Sequence, residues 1–264
     1  MRDYIIAILM GASLTVFFGS YLFFRRGYMF DAPPTADTLF VFNKILIGSA
    51  AILLAITFLI GPVVRYFDRF DKWLGYRKEI GIVAAFMIIA HSIISYYLLP
   101  LKFPQVKFDF TTMTFGAGLF GVVLLAALFF ISFKKAIEYF GARRWWIFQR
   151  WGLRIVILLT LIHVYDMKWA GWIKWLTKGG SGVPSAELAH PLLPGLGMLV
   201  MLFFTWVVIV RVYESIFIFK DFGFSAKEIS LEPALKIRGR RFFLVSFWLL
   251  VIIYVLVFTR WIGY

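Results

Sequence analysis

Long apolar runs alternate along this chain with short polar clusters that carry most of its charge. A helix needs roughly 20 consecutive apolar residues to cross the hydrocarbon core of a bilayer. Seven runs have that length: about Tyr4–Phe24, Leu39–Tyr66, Glu79–Leu99, Thr112–Phe133, Gln149–Trp172, Leu193–Phe219 and Phe242–Ile262. No segment has the period-two alternation of a half-buried strand, and no glycine-rich phosphate loop follows a strand. The pattern predicts an all-α integral membrane protein, a helical bundle of about seven transmembrane helices, with residues 1–264 as a single transmembrane domain. The longest stretches between spans are Asp166–Leu192 and Lys220–Arg241. The first contains Gly179-Gly180-Ser181-Gly182-Val183-Pro184, which is loop chemistry, and neither is long enough to fold a nucleotide-binding domain.

Composition agrees with this reading. Hydrophobic residues make up 62% of the chain and mean hydropathy is +0.86, whereas a soluble domain is apolar over about half its residues. Cysteine is absent, which excludes disulfides, iron–sulfur ligation and thiolate chemistry. In a soluble protein the net charge of +14 would point to nucleic acid. In a chain this apolar, basic loops against anionic lipid account for it, and no nucleic-acid partner is expected. The first span lacks a small-residue cleavage site and is followed by Arg25-Arg26, so it reads as a retained helix rather than a signal peptide.

Loop charge sets orientation when loops are short. Arg65–Lys78, Lys134–Arg154 and Lys220–Arg241 hold 5, 6 and 6 Lys/Arg, against 2, 2 and 3 around Arg25-Arg26, Lys102–Lys107 and Lys168–Lys178. The expected topology puts the N-terminus in the cytoplasm of a bacterial-type cell, with the chain in its inner membrane and the C-terminus outside. The third and fifth spans then run parallel, from the cytoplasm outward.

Two of the three histidines, His91 and His163, lie inside these two spans. An imidazole in hydrocarbon is costly without a partner, which makes it a functional-site candidate. His91 lies 12 residues past Glu79 and His163 lies 14 past Gln149, roughly 18 and 21 Å along their helices at the α-helical rise. Two imidazoles at matched depth can ligate one metal from opposite sides, and heme is the apolar cofactor that asks for this arrangement. The bland alternative is a pair of histidines hydrogen-bonded across helices. His190, in Ala189-His190-Pro191, reads as a surface loop residue. Lys44, Lys168 and Arg260 are candidate partners for heme propionates on the outer side, with snorkelling the simpler account of Lys44. Arg211 and Glu214, spaced i and i+3, read as a local ion pair. The tryptophans near span ends read as interfacial belts.

An ordered set of local motifs carries a family resemblance. Gly61-Pro62, a basic loop, and Arg77-Lys78-Glu79-Ile80-Gly81-Ile82 leading to His91 resemble the ferric-reductase-like transmembrane domain. Gly141-Ala142-Arg143-Arg144-Trp145 resembles that family's Gly-x-Arg-x-Trp segment, and His163 follows at the spacing of its second histidine on the fifth helix. The closest likeness is to the heme-b membrane subunit of the bacterial periplasmic methionine sulfoxide reductase system. The resemblance covers roughly Leu39–Trp169. It implies a six-helix core over about residues 39–219 and leaves the last helix, about 242–262, as an addition. One departure is Gln149, which stands where the family has a histidine just inside the fifth helix. Glutamine is not an ordinary heme ligand, so one heme b is expected, held by His91 and His163.

The function expected from the sequence is one-electron transfer across the membrane by an oxidoreductase component. Electrons would come from a cytoplasmic flavoprotein or membrane quinol and go to an extracytoplasmic reductase partner or ferric complex. FMN or a quinone is allowed as a further cofactor, but no residue pattern marks either. The rival functions are a transporter that uses His91 and His163 as proton or substrate residues, and a non-catalytic membrane scaffold.

Overall fold

The computed structural model describes residues 2–25, 38–103, 109–178, 193–219 and 231–260. Among these there is no strand, and seven helices are long and apolar enough to cross a membrane. They are α1 (Arg2–Phe23), α2 (Thr38–Phe67), α3 (Lys72–Lys102), α4 (Met113–Phe130), α5 (Ala142–Lys178), α6 (Leu196–Phe219) and α7 (Pro233–Thr259). The chain is an all-α integral membrane protein. Large apolar side chains such as Phe86, Phe120 and Val245 stand about 70% exposed, as suits helices surrounded by lipid.

All seven expected spans are present. Three begin earlier than hydropathy implies: α3 at Lys72, α5 at Ala142 and α7 at Pro233. Charged residues are good helix formers, so the helices continue past the apolar window into the basic segments. A four-residue turn joins α2 to α3, with Asp68 and Phe70 at positive φ (50° and 70°). A π-helical stretch, Ile94–Leu98, widens α3 just before Pro100. Proline cannot donate to the preceding turn, and its ring crowds the carbonyl there.

By internal contacts the chain forms two units. The first comprises Met1–Phe18, Gly48–Ala84 and Leu192–Tyr264. Its buried side chains include Leu53, Leu54, Tyr66, Phe204, Val207 and Val210. Small residues permit close approach here: a Cβ on Gly48 would lie 3.2 Å from Leu196, and one on Gly239 only 2.4 Å from the Tyr66 ring. Trp206 Nε1 donates to Ser246 Oγ (3.0 Å) and Tyr254 Oη to the Leu199 carbonyl (2.7 Å), tying α6 to α7.

The second unit comprises Gly19–Ile47 and Ala85–Pro191. Its main feature is α4 packed along α5. Three glycines mark the seam: a Cβ on Gly118, Gly121 or Gly152 would meet His163, Leu159 or Leu128 respectively. Asp109 prepares the start of α4 by accepting from the amide and hydroxyl of Thr111 (2.9 and 2.6 Å), and these bonds hold its carboxyl below the usual range. Thr112 then caps the helix by accepting from Phe115 N. Gly141, at φ 77°, separates the short helix Lys134–Phe140 from α5.

Candidate functional site

His91 is on α3 and His163 on α5, and both belong to the second unit. His91 Nδ1 stands 2.9 Å from Asn43 Oδ1, a buried amide on α2. Asn43 Nδ2 donates to Ser95 Oγ (2.8 Å), which turns its oxygen toward the ring. An amide oxygen only accepts, so His91 carries its proton on Nδ1. His163 Nδ1 stands 2.6 Å from the backbone carbonyl of Thr114 on α4. A carbonyl also only accepts, so His163 has the same tautomer. In its neutral form each imidazole then leaves Nε2 as the acceptor nitrogen, and no hydrogen bond to Nε2 is made among the described residues.

Gly118 makes the seat of His163. It lies one turn beyond Thr114, and a Cβ there would stand 2.9 Å from Nδ1 and 3.1 Å from Cε1 of the ring. Thr114 also bonds Asp166 through its hydroxyl, so one residue anchors two points of α5.

No group of three or more His, Asp, Glu or Cys side chains gathers among the described residues. Two imidazoles, each with Nδ1 bonded to a neutral oxygen and Nε2 open, instead suit an iron whose other four ligands come from a macrocycle. The hydrogen bonds at Nδ1 are those that orient metal-binding histidines in general. The donor set thus fits heme.

Lys44 is partly buried, with Nζ 3.8 Å from the centroid of the Phe40 ring one turn earlier. Lys168 and Arg260 are exposed, and Arg260 belongs to the first unit. His190 lies outside the described residues. Gln149 Nε2 donates to the Leu128 carbonyl and to Ser132 Oγ, both at 2.9 Å, so this amide is closed onto α4. Arg211 and Glu214 do form the expected pair. Glu214 is 1% exposed, and Arg65 from α2 joins it with Nε at 2.8 Å and Nη2 at 2.5 Å from Oε1. Sequence reasoning missed Asn43, Thr114 and Gly118 as supports of the rings, and Arg65 as the third member of the ion cluster. Asn43 had a signal, as a strongly polar residue inside an apolar run. Thr114 contributes only its backbone and had none.

Residues 47–160 match the family model for the ferric reductase like transmembrane component. The matched segment runs from within α2 to within α5, contains His91 and ends three residues before His163. Its transmembrane helices are thus similar to those of that family. Comparison with curated proteins gives no match to the chain.

Proposed function

We propose that this protein carries single electrons across the membrane through one heme b, with His91 and His163 as its two axial ligands. The observation that carries the reading is the matched state of the two imidazoles. Both donate from Nδ1 to a fixed neutral oxygen, and both keep Nε2 open. The likeness of residues 47–160 to a ferric reductase like transmembrane component supports it.

When bound, heme would supply reversible one-electron redox chemistry, with His91 and His163 as the residues that would hold it. The protein supplies the rest. Asn43 and Ser95 fix the His91 ring, while the Thr114 carbonyl and Gly118 fix the His163 ring. Apolar spans exclude water from both. Lys44 adjoins Asn43 in the sequence and is the most buried of the three basic residues considered for the propionates; Lys168 and Arg260 are exposed. Gln149, closed onto α4, offers no second axial nitrogen, so one heme per chain is expected.

The donor is a cytoplasmic flavoprotein or membrane quinol, and the acceptor an extracytoplasmic reductase partner or ferric complex. The sequence likeness to the membrane subunit of the methionine sulfoxide reductase system favours a protein acceptor. A bacterial inner membrane with a cytoplasmic N-terminus is the location implied by loop charge.

The test is a pyridine hemochrome assay with a reduced-minus-oxidised spectrum on detergent-purified protein expressed with heme supply. One low-spin heme b per chain is expected. No heme would overturn the reading, and two per chain would overturn the single-site assignment.

A further inference from the structure

Four basic side chains crowd the first turns of α7: Lys236, Arg238, Arg240 and Arg241. Two of them hold the end of α2. Lys236 pairs with Asp68, and Arg240 donates from Nε and Nη2 to the Tyr66 carbonyl (2.9 and 2.7 Å). Gly239 lets the Tyr66 ring press against the helix between them. Arg238 and Arg241 point elsewhere. Both are exposed, and neither makes an ion pair among the described residues; the Arg238 guanidinium lies 5.8 Å from the Phe217 ring.

These two arginines, at i and i+3 on one face, line an open groove of about 520 Å³ between α6 and α7. The rest of the groove is apolar, with Tyr213, Ile237, Phe242 and Val245 among its walls. Tyr213 and Phe242 stack almost parallel, with centroids 3.6 Å apart. The groove also has a definite level in the membrane. Arg241 is the last charge before the uncharged, mostly apolar run Phe242–Thr259, which is the level where headgroups meet hydrocarbon.

We propose that this groove binds one anionic glycerophospholipid. Its phosphate sits between Arg238 and Arg241, and an acyl chain lies along Tyr213, Ile237, Phe242 and Val245. Charge and shape complementarity both select this occupant: a fork of two cations at the top, hydrocarbon below. General attraction of basic loops to anionic membranes would not require the groove.

The test uses the full chain in detergent, with phosphatidylglycerol and phosphatidylcholine of identical acyl chains. Bound lipid is counted by native mass spectrometry and affinity is read by titration. The wild type should bind one phosphatidylglycerol in preference to phosphatidylcholine. The Arg238→Gln/Arg241→Gln double variant should lose about tenfold or more in that affinity, as expected for two lost arginine–phosphate contacts. Val245→Trp, which fills the groove and keeps both charges, should lose the lipid too. Arg143→Gln/Arg144→Gln, at exposed arginines on α5, should keep it. Equal binding of the two lipids, or equal loss in both double variants, would overturn the proposal. So would full competition by inorganic phosphate, which would make the site one for the free anion. A thermal melt of each variant without lipid separates misfolding from loss of the site.

Discussion

Replacing Gly118 by alanine should destabilise this protein, although glycine-to-alanine in a helix ordinarily stabilises by about 0.5–1 kcal/mol. The added methyl would lie 2.9 Å from His163 Nδ1, 3.1 Å from Cε1 and 3.4 Å from Cγ. Comfortable contact between such atoms starts near 3.5 Å, so the ring must retreat by about half an ångström. That retreat strains the 2.6 Å bond from Nδ1 to the Thr114 carbonyl one turn earlier. Overpacking of this kind costs about 1–3 kcal/mol, and a weakened hydrogen bond adds about 0.5–1.5 kcal/mol. After the helix-propensity gain, a net loss of about 1–3 kcal/mol remains. Gly121→Ala is the control on the same helix. Its Cβ would meet Leu159 at 3.6 Å, an ordinary contact, so it should be neutral or stabilising by up to about 1 kcal/mol. Unfolding of the detergent-solubilised protein measures both, and EPR of the heme-loaded protein reports on the His163 ring. The reasoning fails if Gly118→Ala melts at or above the wild type with an unchanged spectrum, or if Gly121→Ala is equally damaging.

His91→Ala and His163→Ala should each abolish low-spin heme, whereas His190→Ala should retain it; absorption and EPR spectra normalised to folded protein decide. Asn43→Leu removes the acceptor of the His91 ring and should weaken heme binding about 10–100-fold, the usual cost of losing a partner that orients a metal ligand, as read by heme titration of the apo-protein. Glu214→Leu leaves two guanidiniums facing each other and should cost about 3 kcal/mol, at the lower end for a broken buried pair because the Arg65 side chain is 31% exposed and can turn to water. Arg65→Leu should cost less than Glu214→Leu in the same chemical denaturation series, since Arg211 still pairs with the carboxylate.

All seven spans were legible in the sequence because hydrocarbon imposes a length on any helix that crosses it. Their ends were less legible, since hydropathy reports where the hydrocarbon is and not where the helix stops. Lys72–Lys78 and Ala142–Phe148 are helical although they are rich in charge or lie outside the apolar runs. The start of α7 had a signal that hydropathy overlooks: Pro233 sits in the first helical turn, where its missing N–H costs nothing. That His91 and His163 lie within spans was legible, because strong polarity inside an apolar run is rare. The third member of the ion cluster was not. Arg211 and Glu214 are neighbours on one helix, but Arg65 is 149 residues from Glu214 and meets it only through tertiary structure.

How the two rings are supported explains why so little of the site could be read from sequence. His91 needs a side-chain acceptor, and Asn43 supplies it while passing its own N–H to Ser95, so the chain of bonds is closed. His163 needs no polar side chain at all. The Thr114 carbonyl has two lone pairs; helix geometry commits one to the amide of Gly118, and His163 uses the other. Gly118 therefore serves twice, donating its amide to that carbonyl and leaving the space into which the ring fits. Once these bonds are counted, both Nδ1 atoms and the groups that hold them are satisfied, and the polar capacity left at each imidazole is a single nitrogen lone pair. Two such lone pairs in apolar spans carry an energetic cost without a partner, and under the proposed function a heme held by His91 and His163 would be that partner.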